Sequence, residues 1–444
     1  MNDEVLPKAT HFHRKPIRLL NGLLGGLNAL GVGRISLDEA SLLAKAKADT
    51  GLSNFGDHRF MEPMRILLHS LENEADLNPT GRFLNRANVL RLLKHRLYAA
   101  DLLGRHPEIL ERTMPDPVVI VGLARSGTTR LHRLLASDER FLHLQAWETV
   151  NPVPYPASFT AREQGTVDPR ITALNQGLRA ILYMAPQIAA VHPLGTFEIE
   201  EEVGLIQHGF SSQIFELQAR VPSFGEWLMT HDQIAAYEYM VVLMKIISWY
   251  RDDPEDKPWI LKTPQHMQDL DALMRVFPNA KLICSHRDPI KCVGSACSMT
   301  WNAILRDSDS VTADWVGQEW FSKTERMLKK TIRVRNEMVP AESQYDVQYA
   351  DIGADWHKAI DGIYDFLGMP LTEQTRTAMQ AWMDSNSQHK HGAHKYSLAN
   401  FGLNRDEVDQ RLMFYRERFS IPYETKNPHA RPAPIGRSSS SSST

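Results

Sequence analysis

The sequence predicts an α/β fold in which helices flank a P-loop-like parallel sheet and an α-helical N-terminal region precedes it. Strand and helix patterns alternate from residue 118 to about residue 370, which favours a parallel sheet. A glycine-containing turn joins the first predicted strand to a helical pattern. Before that strand, from Ser36 to about Arg112, apolar residues recur every three to four positions, which indicates helices.

The N-terminal region, residues 1–115, is predicted to pack against the sheet rather than to form a separate binding module. Its first clear helix start is Ser36–Glu39, which has the pattern of a capping box. Residues 14–33 combine basic residues with an apolar, glycine-rich stretch that is too short to span a bilayer. We expect this stretch to be flexible or interfacial, with at most weak contact to a membrane surface.

Residues 116–425 are predicted to form the α/β domain, with an insertion near 150–235 that builds a substrate pocket. The serine-rich residues 426–444 are predicted to be disordered because of their low complexity. A helix is expected between Tyr237 and Tyr250. The predicted strands are 118–121, 259–262, 282–285 and 346–349.

The composition narrows the function classes. The chain has 444 residues, 43% of them hydrophobic, which suits a globular enzyme with a large core. A formal net charge of −3 gives no bulk attraction to nucleic acid, so no nucleic-acid partner is expected. Three cysteines fall within one short segment, so neither disulfides nor a zinc site is expected, and a reducing, cytoplasmic location fits best.

The turn after the first predicted strand has the composition of an anion-binding loop. Gly122 and Gly127 have the spacing of a P-loop. Backbone N–H groups and a helix N-terminus around such a turn can hold phosphate or sulfate. The P-loop lysine is missing, since Thr128 and Thr129 follow Gly127, and an arginine, Arg125, lies inside the loop instead.

The segment Arg125–Thr129 resembles the 5′-phosphosulfate loop of sulfotransferases that use 3′-phosphoadenosine 5′-phosphosulfate (PAPS), and the chain as a whole is closest to the bacterial enzymes of this type. The resemblance implies that Arg125 and the loop N–H groups, including those of Ser126 and Gly127, hold the phosphosulfate. Thr128 and Thr129 would add hydroxyl donors.

A second motif, Arg287 and Ser295, resembles the 3′-phosphate site of the same family, in which a strand-end arginine precedes a serine by eight residues. A guanidinium suits this position because it binds phosphate through two parallel contacts. The alternative is that Arg287 pairs with Asp288 or Asp271 at the surface. Lys395 lies in a loose match to the family's loop that closes over the nucleotide, and it is a further candidate for the 3′-phosphate.

Lys262 ends a predicted strand at the distance before Arg287 that the family's catalytic lysine has, so the resemblance implies that it stabilises the leaving oxygen. Glu148 is the first choice for the base, because two branches of the family place a glutamate there; the alternative is a helix-start or surface acid. His266 is the rival base. The acidic cluster at residues 198–202 is expected to be a solvated helix face; the alternative is that one of its members lines the acceptor site.

These motifs predict in-line transfer of a sulfuryl group from PAPS to a hydroxyl of a small molecule or glycan, without a metal. A P-loop kinase is the rival enzyme class, but it would need Mg²⁺ ligands and the loop lysine. A non-catalytic nucleotide-binding protein is the third alternative.

Overall fold

In the computed structural model of the protein, residues 6, 12–186, 195–386 and 397–424 are described. A four-stranded sheet lies among them, with all pairs parallel and the order β2-β1-β3-β4. The strands are β1 (Val118–Gly122), β2 (Ile260–Lys262), β3 (Lys281–His286) and β4 (Gln344–Gln348). The predicted α/β fold with a parallel sheet is therefore confirmed, and each strand lies within two residues of its predicted start.

The central part of the sheet is buried on both faces because successive residues of β1, β2 and β3 enter different cores. In β1, Val119 and Val121 belong to one hydrophobic cluster, and Val118 and Ile120 belong to another. Helices cover both faces, as parallel sheets require. The helices from the first strand to the end of the expected insertion are α6 (Thr128–Leu135), α7 (Ala146–Val150), α8 (Pro156–Glu163), α9 (Pro169–Met184), α10 (Val203–Ile206), α11 (Ile214–Gln218) and α12 (Pro222–Thr230).

The second half of the domain contains the predicted helix between Tyr237 and Tyr250, which extends slightly beyond both ends. The helices after residue 230 are α13 (Ile234–Arg251), α14 (His266–Val276), α15 (Pro289–Ile304), α16 (Ala313–Met338), α17 (Tyr349–Ala354), α18 (Trp356–Leu367), α19 (Glu373–Ser385) and α20 (Arg405–Arg418). Short 3-10 helices occupy His58–Phe60, Gln207–Gly209, Ala341–Ser343 and Leu398–Phe401.

The N-terminal region is helical, as predicted. Its helices are α1 (Lys15–Ala29), α2 (Glu39–Thr50), α3 (Met61–Asn73), α4 (Pro79–Arg105) and α5 (Glu108–Glu111). Buried residues of α2 to α4 share one hydrophobic cluster with residues 210–228, so this region packs into the rest of the fold. The helix start predicted at Ser36 is displaced, because Asp38 caps α2 by accepting from the Ser41 backbone N–H.

The stretch expected to be flexible or interfacial contains a helix, α1. It is attached to α4 through Asn21, whose side-chain oxygen accepts from the backbone and hydroxyl of Thr80. Across the described ranges, no helix has the length and apolar character needed to cross a membrane. The domain boundaries at 115 and 425 stay predictions, and the serine-rich residues 426–444 lie outside the described residues.

The parallel register brings three predicted motifs to one edge of the sheet. Ile120 lies beside Lys262, and Gly122 lies beside Ser285. The carboxyl ends of β2, β1 and β3 are therefore neighbours, and ligands of open α/β sheets bind outside this edge.

Candidate active site

The loop after β1 has the backbone conformation of an anion-binding turn. Arg125 and Gly127 have positive φ values of 72° and 89°. Gly127 caps α6, whose first backbone N–H groups face the loop. A Cβ on Gly127 would lie 2.7 Å from the ring of Tyr349, so the position has room only for glycine.

The loop is fixed against the end of β3 by two hydrogen bonds to its backbone. The Arg287 guanidinium donates to the carbonyl oxygen of Arg125 at 2.6 Å, and the Ser285 hydroxyl donates to that of Ser126 at 2.7 Å. The Ser126 hydroxyl donates back to the Leu123 carbonyl at 2.7 Å. The two motifs predicted to bind opposite ends of one nucleotide are thus in direct contact.

Arg287 holds a carboxylate through two parallel contacts. Its Nε and one terminal nitrogen donate to the oxygens of Glu424 at 2.7 and 2.8 Å, and its guanidinium stacks over the ring of Tyr349 at 4.0 Å. Although burial alone would lower the pKa of Arg287, the contact with Glu424 raises it, so the side chain stays charged. The alternative pairing with Asp288 is not seen, because Asp288 accepts from Arg416 instead.

The other alternative for Arg287 is also not seen, since Asp271 pairs with Lys330 at 3.1 Å. Ser295 lies on α15 and is buried. Lys395 lies outside the described residues.

Lys262 ends β2 beside the loop. Its ammonium nitrogen is 3.2 Å from the Thr129 hydroxyl oxygen and also contacts a carboxylate oxygen of Glu201. The side chain is 2% exposed. A buried ammonium group that reaches the first turn of the anion-binding helix can meet negative charge on a group held there.

The expectation of a solvated helix face for the acidic cluster is wrong for Glu202, which enters the core, whereas Glu198 is exposed. Residues 198–202 precede α10, and Glu202 is fully buried. One Glu202 oxygen accepts from the backbone N–H of Lys262 at 2.9 Å, and the other contacts Nε2 of His266 at 2.5 Å. Burial would raise the pKa of Glu202, but His266 and these hydrogen bonds lower it, so the carboxylate stays ionised.

His266 is bound on both sides of its ring. Its Nδ1 lies 2.9 Å from the hydroxyl of Tyr237, and its Nε2 faces Glu202. The side chain has no solvent exposure. This arrangement connects α13, α14 and the segment before α10 through one buried polar chain.

Glu148 is also buried. Its Oε2 accepts from the Gln145 backbone N–H at 2.9 Å, which completes a capping box at the start of α7. The Arg251 guanidinium contacts both carboxylate oxygens, with Nε at 2.6 Å from Oε1. These are the contacts of a helix-start acid, the alternative that the sequence left open, and a catalytic role for Glu148 stays a prediction.

Four residues at the site were not predicted individually: Glu201, Glu202, Tyr349 and Glu424. Tyr349 had a usable signal, because it directly follows β4 and therefore lies at the carboxyl edge of the sheet. Glu424 had none, since it contacts Arg287 across 137 residues of chain.

The comparisons with known proteins agree with this geometry. The model of the family described as "Sulfotransferase family" matches residues 117–373, more than half of the 444 residues. The chain belongs to the sulfotransferase family. The resemblance stated from the sequence is confirmed, and the function is that of a sulfotransferase rather than a P-loop kinase.

Two curated relatives and two solved structures are informative about this sulfotransferase. The omega-hydroxy-beta-dihydromenaquinone-9 sulfotransferases Stf3 of Mycobacterium bovis and Mycobacterium tuberculosis are each 25% identical over 348 residues, 76% of this chain and 83% of the relative. Sulfotransferase STF1 from M. tuberculosis H37Rv has a TM-score of 0.73 at 28% identity and covers 84% of this chain and 98% of its own. STF9 from Mycobacterium avium has a TM-score of 0.77 at 24% identity and covers 89% of this chain and 100% of its own length. This likeness supports the fold.

Proposed function

We propose that this sulfotransferase moves a sulfuryl group from PAPS to a hydroxyl of a small-molecule acceptor. The observation that carries the proposal is the convergence of three strand ends. The loop after β1, Lys262 after β2 and Arg287 after β3 lie at one edge of the sheet, and Arg287 donates directly to the loop. A nucleotide with a 5′-phosphosulfate and a 3′-phosphate presents two anions that match the loop and Arg287.

The charges at this edge fit such a nucleotide. Arg287 binds the carboxylate of Glu424 with two parallel N–H contacts, and a phosphate offers the same pair of oxygens with more charge. We propose that the 3′-phosphate takes the place of Glu424, with Ser295 and Lys395 as further contacts. Arg125, Ser126, Gly127, Thr128 and Thr129 would hold the 5′-phosphosulfate.

The donor supplies an activated sulfuryl group, and the chain supplies charge and position. Lys262 is aimed at the first turn of α6 through Thr129, so its ammonium would stabilise the oxygen that departs with the nucleotide. In-line transfer between two oxygens needs a second group to take the proton of the acceptor hydroxyl. Glu148 and His266 remain the candidates predicted for this base, and transfer without a metal remains a prediction.

For the acceptor, we propose a small apolar molecule with a hydroxyl rather than a glycan. The names of both Stf3 relatives give omega-hydroxy-beta-dihydromenaquinone-9 as the compound that those enzymes act on. Separately, α1 and its C-terminal end carry an exposed apolar face, where Leu19, Leu23 and Leu30 are all more than half exposed.

We propose that this face gives the weak membrane-surface contact expected for residues 14–33. Arg14 and Lys15 lie at the N-terminal end of α1, which suits anionic headgroups. Sedimentation with anionic vesicles would test it: Leu19→Glu should reduce binding, whereas Leu110→Glu, at an exposed leucine of α5, should not. Equal binding by both variants would contradict a role for α1.

A cytoplasmic, reducing location is part of the proposal. Cys284, Cys292 and Cys297 are free and buried, and burial raises the pKa of each thiol to about 12. Such thiols are unreactive at neutral pH and serve as small core residues.

The experiment that tests the proposed function is a transfer assay with ³⁵S-labelled PAPS and a panel of hydroxyl acceptors. Label should move to an apolar alcohol or phenol. Failure with every acceptor, together with no binding of 3′-phosphoadenosine 5′-phosphate (PAP), would contradict PAPS as the donor.

A further inference from the structure

Neither group predicted as the base has an open position in the structure. Both oxygens of Glu148 are bound by Arg251, and one of them also accepts from a helix N-terminus. His266 is fully buried, with Glu202 and the Tyr237 hydroxyl at its two ring nitrogens. A base must reach the hydroxyl proton within about 3 Å or through one water, so either residue would first have to leave these partners.

Glu201 is less enclosed than Glu148 and His266. One of its carboxylate oxygens contacts the Lys262 ammonium group, which in turn lies 3.2 Å from the Thr129 hydroxyl. Its side chain is 21% exposed, whereas that of Lys262 is 2% exposed. Glu201 is therefore the member of this pair that solvent, and hence an acceptor hydroxyl, can reach.

The backbone around Glu201 is held firmly. Ile199 pairs with Gln145 in an antiparallel bridge, and the Glu200 backbone N–H donates to the Leu144 carbonyl at 3.0 Å. On the other side, the carboxylate of Glu202 binds the backbone N–H of Lys262 at 2.9 Å. The carboxylate of Glu201 and the ammonium of Lys262 are thus kept beside each other by the fold.

We propose that Glu201 is the general base of the transfer, an inference that rests on the proposed function. As the acceptor O–H bond breaks, its proton passes to a carboxylate oxygen of Glu201, and the acceptor oxygen forms the new bond to sulfur. The bond between sulfur and the 5′-phosphate oxygen breaks, and that oxygen leaves with the electron pair. Lys262 meets the charge on the departing oxygen while Glu201 removes the proton on the acceptor side.

Glu201→Gln tests this role, with Glu198→Gln as the matched control. Glu198 lies in the same segment, and its carboxylate pairs with Arg133 at 3.0 Å. With labelled PAPS, Glu201→Gln should lower kcat on a primary alcohol by roughly 100-fold or more, the range of general base catalysis. On an acidic nitrophenol, which needs little proton removal, the loss should be less than about tenfold. PAP affinity should not weaken, and Glu198→Gln should match the wild type.

A second measurement separates a base from a residue that only positions Lys262. Formate should partly restore alcohol sulfation in Glu201→Ala, because a small carboxylate can replace the missing base. Equal losses on both acceptors, without rescue by formate, would mean that Glu201 only holds Lys262 and would overturn the proposal. Wild-type rates in Glu201→Gln would also overturn it. Loss of alcohol sulfation in Glu148→Gln or His266→Ala, with Glu201→Gln active, would assign the base there instead. If the wild-type enzyme transferred no label to any acceptor and did not bind PAP, the proposed function itself would fail, and the role of Glu201 with it.

Discussion

Replacement of Arg287 by alanine should weaken the binding of PAP much more than that of AMP, which has no 3′-phosphate. A charge-assisted hydrogen bond contributes about 1.5–3 kcal/mol, and a bidentate contact lies at the upper end of that range. In the wild type the phosphate must displace Glu424 from a pair whose side chains are 19% and 31% exposed. Such a partly exposed pair is worth up to about 1 kcal/mol. The net contribution is therefore about 2 kcal/mol, or roughly 30-fold in Kd.

Isothermal titration calorimetry of PAP and AMP with both proteins measures this difference. The PAP affinity of Arg287→Lys should lie between those of the wild type and Arg287→Ala, because an ammonium keeps the charge but not the two-point contact. Arg326→Ala is the matched control, since Arg326 makes a similar bidentate pair with Glu226 on an exposed surface. Unchanged PAP binding in Arg287→Ala, or an equal loss for PAP and AMP, would refute a 3′-phosphate site at Arg287.

Three further results are expected. Glu424→Gln should tighten PAP binding by up to about fivefold, because it removes the anion that competes for Arg287; weaker binding would contradict the competition. Gly127→Ala should lower both the Tm and PAP affinity, since the residue has a φ of 89° and a Cβ would lie 2.7 Å from Tyr349; an unchanged Tm would contradict this packing. Burial raises the pKa of Asp269 from 3.8 to about 7, so the folded state holds a proton that the unfolded chain releases, and stability is lost as pH rises through this range. Urea unfolding should therefore show that the free energy of unfolding of Asp269→Asn, relative to that of the wild type, is higher at pH 8 than at pH 5. An equal difference at both pH values would contradict a protonated Asp269 in the folded state.

The sequence predicted the parts of the site that depend on local motifs and on parallel pairing. The loop after β1, Lys262 and Arg287 each follow a recognisable strand, and parallel strands present their carboxyl ends at one edge. The motif order was therefore sufficient to predict that these groups converge.

The contacts that the sequence did not predict come from segments without regular structure. Glu201 and Glu202 lie between a bridge at Ile199 and a short helix, and acidic side chains in a row are usually solvated. The position of Glu201 depends on a long-range contact with Lys262, and the burial of Glu202 depends on one with His266. No periodicity of the local sequence encodes such contacts, so the sequence alone favours a solvated surface for the acidic cluster.

The most direct test of the central claim compares turnover with nucleotide affinity in Lys262→Ala. Because Lys262 is proposed to meet charge that develops only as the nucleotide leaves, its loss should lower kcat for sulfuryl transfer from labelled PAPS by roughly 100-fold or more. The Kd for PAP, measured by calorimetry, should change far less. A fall in affinity as large as the fall in kcat would mean that Lys262 only binds nucleotide, and wild-type turnover in Lys262→Ala would contradict its place in the mechanism.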